Sequence, residues 1–308
     1  MSAPSLAACR VALDARTGIG TAPGTFGELL QGALPAGTDF LVTFPITLRS
    51  RASFRFDPNG PLRVFPSHKT KSLRLARALL EAHGAKGGGT LVIASELLVG
   101  KGLASSSADL VATARAVGSV LGADCSPAAI EAWLRPIEPT DGVMHPGIVA
   151  FEHRAVRLRA ALGTLPPTTV VAVDEGGLID TVEFNRRGKH FSATETAQYE
   201  ALLDTLSLAV AAGDLRTVGA VATRSAELNQ RFAPKHNLAA MIATARRVGA
   251  LGVVCAHSGT MLGLLLDAAE PGYPARFDAA LDACRALPGA TSAFAAQPIT
   301  DTEHAHAI

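Results

Sequence analysis

A glycine-punctuated run, Leu97-Leu98-Val99-Gly100-Lys101-Gly102-Leu103-Ala104-Ser105-Ser106-Ser107-Ala108-Asp109, passes without a proline into an Ala-, Val- and Leu-rich segment that reaches Leu121. Gly122 follows, where a helix-terminating glycine belongs. A helix therefore starts at the serines. Its first turn carries about four backbone N–H groups with no intrahelical partner, and Gly100 and Gly102 let the backbone before it approach a ligand closely. Such a helix start favours an anion, phosphate above all. An ordinary capped helix needs only one of the three hydroxyls, which leaves the others for phosphate or a magnesium ion.

The run is neither a Walker A motif nor a dinucleotide fingerprint. Gly102 follows Gly100-Lys101 where Ser or Thr is required, Ser95 stands in place of the leading glycine, and G-x-G-x-x-G spacing fails here and at Gly18, Gly20 and Gly24. With 48% hydrophobic residues the chain of 308 residues can build a large core. Its 28 Lys and Arg against 27 Asp and Glu supply no strong field for nucleic acid or an anionic membrane. A small-molecule partner is the expectation. Cys9, Cys125, Cys255 and Cys284 form no C-x-x-C pair, and Met1 to Arg10 lacks a signal-peptide pattern, so buried free thiols and a cytoplasmic location are expected. The nine histidines give no H-E-x-x-H spacing, and His304 with His306 reads as a mobile tail pair.

In order, Cys9 to Leu13 reads as a short strand and Arg16 to Gly24 as a glycine-rich turn. Phe40 to Phe44 and Leu48 to Phe56 read as strands, the second with its arginines on a solvated face. Ser67 is placed to cap a helix running to His83, and Thr90 to Ala94 is a strand delivering the chain to the serine run. Ser126-Pro127 opens a helix ending at Pro136. Gly147 to Phe151 pairs with Ala155 to Leu162, and Thr169 to Val173 is a buried strand. Helices follow over Tyr199–Ala212, Leu215–Asn229 and Leu238–Val248, with Gly213 and Gly249 closing the first and third. Two apolar strands joined by His257-Ser258-Gly259-Thr260 then make a hairpin. Ser258 is not in a G-x-S-x-G nucleophile elbow, which argues against a hydrolase. Residues after Pro288 carry little signal.

The serine run resembles the second motif of the GHMP kinases, the superfamily named for galactokinase, homoserine, mevalonate and phosphomevalonate kinases. Ala104 replaces the glycine before the serines, and Val99 stands near the usual proline. Ala22-Pro23-Gly24-Thr25-Phe26-Gly27-Glu28-Leu29-Leu30-Gln31-Gly32 resembles the first motif, and Ala256-His257-Ser258-Gly259-Thr260 the third. The wording Gly-Glu-Leu and Gln-Gly, with Thr25 where most members carry Lys or Arg, is similar to the L-threonine kinase branch that serves cobalamin linker synthesis and propanediol use. Glu138-Pro139-Thr140-Asp141 is similar to that branch's acidic segment, in which one acid meets magnesium and an aspartate faces the acceptor hydroxyl.

The resemblance implies an α+β fold. Residues 1–165 would form a ribosomal-protein-S5-like α/β domain carrying the serine loop, and residues 166–308 a ferredoxin-like α+β domain, with the boundary near Leu165-Pro166-Pro167. It implies ATP and Mg2+, with no nucleic acid and no membrane, and pairing of two copies is a further expectation. Gly100, Gly102, Leu103, Ala104, Ser105, Ser106, Ser107, Ser258 and Gly259 are the expected ATP-binding residues, and Lys101 adds a positive charge. Ser106 and Glu138 are assigned to the metal, with Ser105 or Ser107 and Glu131 as alternatives that spacing leaves open. Asp141 is the candidate general base. Glu28, Gln31, Thr140 and His257 are expected at the acceptor, with Lys69 a further candidate for its carboxylate. The implied reaction gives O-phospho-L-threonine. A kinase for homoserine or serine, and a non-catalytic metabolite sensor, are the alternatives; intact acids at Glu138 and Asp141 argue against the sensor.

Overall fold

A computed structural model describes residues 17–177 and 190–296; the strand expected over Cys9 to Leu13 and the histidine pair at 304 and 306 lie outside them. The fold is α+β. Its strands are β1 (Thr17–Ala33), β2 (Asp39–Asp57), β3 (Leu62–Phe65), β4 (Gly88–Ser95), β5 (Ile148–Glu152), β6 (Arg157–Gly163), β7 (Thr168–Asp174), β8 (Gly252–Cys255), β9 (Met261–Asp267) and β10 (Ala290–Ala296). The main path of the sheet runs β10-β7-β9-β8-β1-β2-β4-β3, and β5 joins it through β2 while carrying β6. Helices α1 (Thr70–Ala82), α2 (Ser105–Leu121) and α3 (Pro127–Leu134) belong to the first part of the chain. Helices α4 (Ala193–Ala212), α5 (Leu215–Asn229), α6 (Leu238–Val248) and α7 (Tyr273–Arg285) belong to the second.

Both faces of the β7–β9–β8 end are covered. Val170 and Ala172 of β7 enter the larger core with Phe26, Leu265 and Val218, while Val171 and Val173 enter a second core with Leu264, Met241 and Cys284. The period-2 alternation of side chains divides one apolar strand between two cores, which is why β7 is apolar at every core position. Gly122, Gly213 and Gly249 close α2, α4 and α6 in the left-handed conformation, as their positions in the sequence require. Ser126 caps α3 by accepting from the Ala129 N–H.

Three expectations are corrected. Arg16 to Gly24 is not a turn: from Thr17 it is strand, paired with β2 from Thr17↔Arg55 onward. Gly18 and Gly20 serve close packing, because a Cβ at Gly18 would stand 2.0 Å from the Ala116 carbonyl oxygen and one at Gly20 2.2 Å from that of Ala112, both on α2. Ser67 caps nothing; residues 67–69 form a turn, with Lys69 N–H donating to the Pro66 carbonyl, and α1 begins at Thr70 with Lys69 at its N-cap. Phe40 to Phe56 is one strand, continuous through Pro45. The weakly patterned residues after Pro288 supply β10, paired along its length with β7.

Gly20→Val forces a branched side chain into the backbone of α2. Overpacking of this kind costs about 1–3 kcal/mol. A urea titration is expected to show the midpoint falling accordingly, and an unchanged midpoint would contradict the close strand–helix contact.

Candidate active site

The N-terminus of α2 opens into a cleft of about 340 Å³ lined by residues from six separated segments, among them Glu28, Lys69, Gly102, Ser106, Asp141 and Ser258. None of the three serines is the N-cap. Ala104 takes that place with φ 55° and ψ 29°, no side chain caps the helix, and Ser105, Ser106 and Ser107 form the first turn. The helix start therefore presents backbone donors and hydroxyls together. A second helix start faces the same cleft: Thr70 and Lys71 of α1 line it, and α1 also has no side-chain cap and no acid in its first turn. Two positive helix ends and two lysines make this end of the cleft suited to a polyanion.

The two acids of the 138–141 segment sit in different surroundings. Glu138 accepts from Ser106 Oγ on one oxygen and from Lys71 Nζ on the other. Ser107 Oγ lies 3.2 Å from Asp141 Oδ2 and accepts from the Asp141 N–H at 3.1 Å. Burial pushes the Asp141 carboxyl up to about 6, against the lowering effect of Ser107, and the neighbouring Glu138 charge adds to the rise. Asp141 thus titrates close to neutrality, within reach of the serine loop.

Among the described residues no three His, Cys, Asp or Glu side chains cluster as a metal cage. The touching oxygens of Ser106 and Glu138 are nonetheless hard donors, the kind magnesium takes when phosphate oxygens and waters complete its shell. Glu131 is engaged elsewhere, holding His145 at 2.7 Å and the Leu158 N–H at 2.9 Å. It does not line the cleft.

Glu28, Thr140, His153 and His257 also line the cleft although each is more than nine-tenths buried. The His153 and His257 rings meet edge to face at 5.2 Å, and the His153 carbonyl accepts from the Thr140 N–H, next to Asp141. Gln31 stands behind this wall, with Oε1 2.5 Å from His257 Nδ1. Lys101 is turned away from the cleft. Its ammonium lies 2.7 Å from Asp174 Oδ2 and donates to the Gly177 carbonyl, so the structure does not bring this charge beside the serines. Gly259 likewise packs behind the lining.

Sequence reasoning missed His68, His153 and Asp109. Asp109 is buried in α2, accepting from Ser50 Oγ at 2.6 Å and from Lys69 Nζ at 2.5 Å. An acid one turn into a helix rich in Ala, Val and Leu is a signal that could have found it, since a buried charge needs a partner. No comparable signal marks His153.

Residues 71–150 match the family described as GHMP kinases N terminal domain and residues 206–291 the one described as GHMP kinases C terminal, together more than half of the chain. An L-threonine kinase of Salmonella typhimurium is 27% identical over 262 residues, covering 80% of this chain and 81% of that protein. One of Citrobacter freundii is 24% identical, covering 80% and 85%. The crystal structure of homoserine kinase from Cytophaga hutchinsonii superposes with a TM-score of 0.72 at 14% identity, over 97% of both chains. No helix among the described residues is long and apolar enough to cross a membrane.

The raised Asp141 carboxyl has a stability consequence. The folded state holds its proton more tightly than the unfolded chain does, so this residue favours folding most at low pH and loses that contribution as pH rises through about 6. Asp141→Asn removes the loss. The melting temperature of the variant minus that of the wild type is expected to be larger at pH 7.5 than at pH 4.5; a difference independent of pH would show that the carboxyl is not raised.

Proposed function

The chain belongs to the GHMP kinases, and from that premise we propose that it transfers the γ-phosphoryl group of ATP to the side-chain hydroxyl of L-threonine. The observation that carries this reading is the meeting of Asp141 with Ser107 at the uncapped start of α2, inside a cleft that Glu28, His153 and His257 also line. The two relatives named as L-threonine kinases support the choice of acceptor.

The ATP phosphates bind at the first turn of α2, where Ser105, Ser106 and Ser107 offer N–H groups and hydroxyls, with Ser258 across the cleft. Lys69 and Lys71 add the positive charge first expected from Lys101. Ser106 and Glu138 would hold a magnesium ion, which supplies neutralisation of phosphate charge when bound. Asp141 takes the proton of the threonine hydroxyl as its oxygen bonds to the γ-phosphorus and the bond to the ADP leaving oxygen breaks. The products are O-phospho-L-threonine and ADP. Positioning and charge stabilisation do most of this work, because the transferred group passes through a loose, anionic transition state. The acceptor is an α-amino acid, and its ammonium and carboxylate find counterparts in Glu28 and the two histidines. A division of the chain near residue 165 accords with family matches that fall on either side of it.

A coupled assay of ADP release with threonine, serine and homoserine tests the reading. Threonine is expected to give the highest kcat/KM. Faster turnover of another compound would reassign the acceptor, and ATP binding without turnover of any would favour a sensor. Asp141→Asn is expected to lower kcat by about a hundredfold to ten-thousandfold with little change in KM for ATP. Because Asp141 acts ionised, kcat/KM of the wild type is expected to fall below about pH 6. A flat profile through that range would remove the residue from the role.

A further inference from the structure

Asp174, at the end of β7, lies outside the cleft lining, yet its carboxylate touches both glycine loops that flank the cleft. Oδ2 is 2.7 Å from Lys101 Nζ in the loop before α2, and Oδ1 accepts from Thr260 Oγ1 at 2.5 Å in the loop between β8 and β9. Resting on the kinase reading above, we propose that Asp174 is a positioning residue for the nucleotide. Lys101 is the strut through which it holds the two loops together as one phosphate clasp.

The loops need such a tie because they meet almost without side chains. A Cβ on Gly259 would stand 2.0 Å from the Lys101 carbonyl oxygen, and one on Gly102 2.3 Å from the Ala256 Cβ. Backbone contact this close fixes spacing sharply but supplies little attraction of its own, since few apolar atoms are involved. The attraction comes from the polar frame around it. Asp174 Oδ1 also accepts from the Gly176 N–H at 3.0 Å, Lys101 Nζ donates to the Gly177 carbonyl, and the Glu175 N–H donates to the Thr260 carbonyl at 3.1 Å. On the far side of the same loop the buried Lys235 Nζ donates to the Gly259 carbonyl at 2.5 Å. Lys101 and Asp174 are both largely buried, with side-chain exposures of 16% and 11%, so water screens their attraction far less than it does a surface pair. Each carboxylate oxygen serves one loop. Losing the carboxylate charge therefore loosens Lys101 and Thr260 together, and with them the register of Ser258 against the serine turn.

The test is a double-mutant cycle of Asp174→Asn and Lys101→Met, read as KM and kcat in the ADP-release assay and as the Kd for ATP with magnesium by titration calorimetry. Each single variant is expected to raise KM and Kd for ATP about tenfold, within the range for members of one network, and the pair to do no worse than either alone. The acceptor KM and kcat should stay within about threefold, a split that general destabilisation would not produce. Lys101→Arg, which keeps the ion pair, should restore most of the affinity. If Asp174→Asn leaves ATP affinity unchanged while Lys101→Met lowers it, Lys101 meets the nucleotide itself and the proposal fails; it fails equally if the two effects multiply. Should Asp174→Asn not fold, Thr260→Val removes the other branch and must raise the Kd for ATP in the same way. The calorimetric arm keeps this test separate from the kinase reading: a wild type without turnover sinks that reading while the cycle on ATP affinity still decides the strut.

Discussion

At the seam between the two parts of the sheet, three backbones touch with almost nothing between them. β1 and β8 share a single pairing, Glu28 with Cys255, and beside it the Gly27 N–H donates to the Gly102 carbonyl at 3.1 Å and the Thr25 N–H to that of Leu103 at 3.3 Å. A Cβ on Gly27 would lie 2.5 Å from the Cys255 carbonyl oxygen. Gly27 and Gly102 have positive φ, so glycine is needed there for conformation and for space at once. The approach brings the first strand, the serine loop and the histidine loop to one edge. The cleft is the space left beside that contact, and its width is set by main chain, which has few ways to repack.

The electrostatics follow from where the seam puts the helices. Bringing the uncapped starts of α1 and α2 to one place concentrates positive potential, and Lys69 and Lys71 add to it. Asp109 and Glu138 face these lysines and hold them in position. Glu138 is consequently a carboxylate already matched to a cation and a hydroxyl, whereas Asp141, three residues on, has a hydroxyl and burial. Burial thus raises the proton affinity of Asp141 and suits it to moving a proton, while Glu138 is committed by contact to Lys71 and Ser106. Pro139 restricts the backbone that separates them.

What could be read from the chain beforehand was local and repetitive. The apolar run of β7, the glycines ending α2, α4 and α6, and the serine-proline start of α3 each carry their physical cause within a few residues. Glycine misled where its signal is double: at Gly18 and Gly20 it means close approach to α2, and the same letters spell a turn when the partner is unseen. Lys101 misled because adjacency in sequence to the serines says nothing about which way a long side chain points. His153 was silent, since it owes its place to His257 at long sequence separation, and Asp109 showed only that it needed a partner, not that Ser50 and Lys69 would supply it.

Ala104 shows how far the letters of a motif can drift while its geometry persists. The related motif carries glycine at this position, and here an alanine holds the left-handed conformation that glycine would adopt, with φ 55°. That conformation costs an L-residue about 1–2 kcal/mol. It is kept because its surroundings leave no alternative: the Leu103 carbonyl is held by Thr25, the Ala104 carbonyl already accepts from the Ala108 N–H at 2.9 Å, and Leu103 is buried in the core. Any relaxation of Ala104 would break the link to β1 or the first helical bond of α2. The loop is thus specified by the bonds on either side of it more than by the residue within it. A turn of this geometry can therefore tolerate a methyl group where the motif it resembles asks for none.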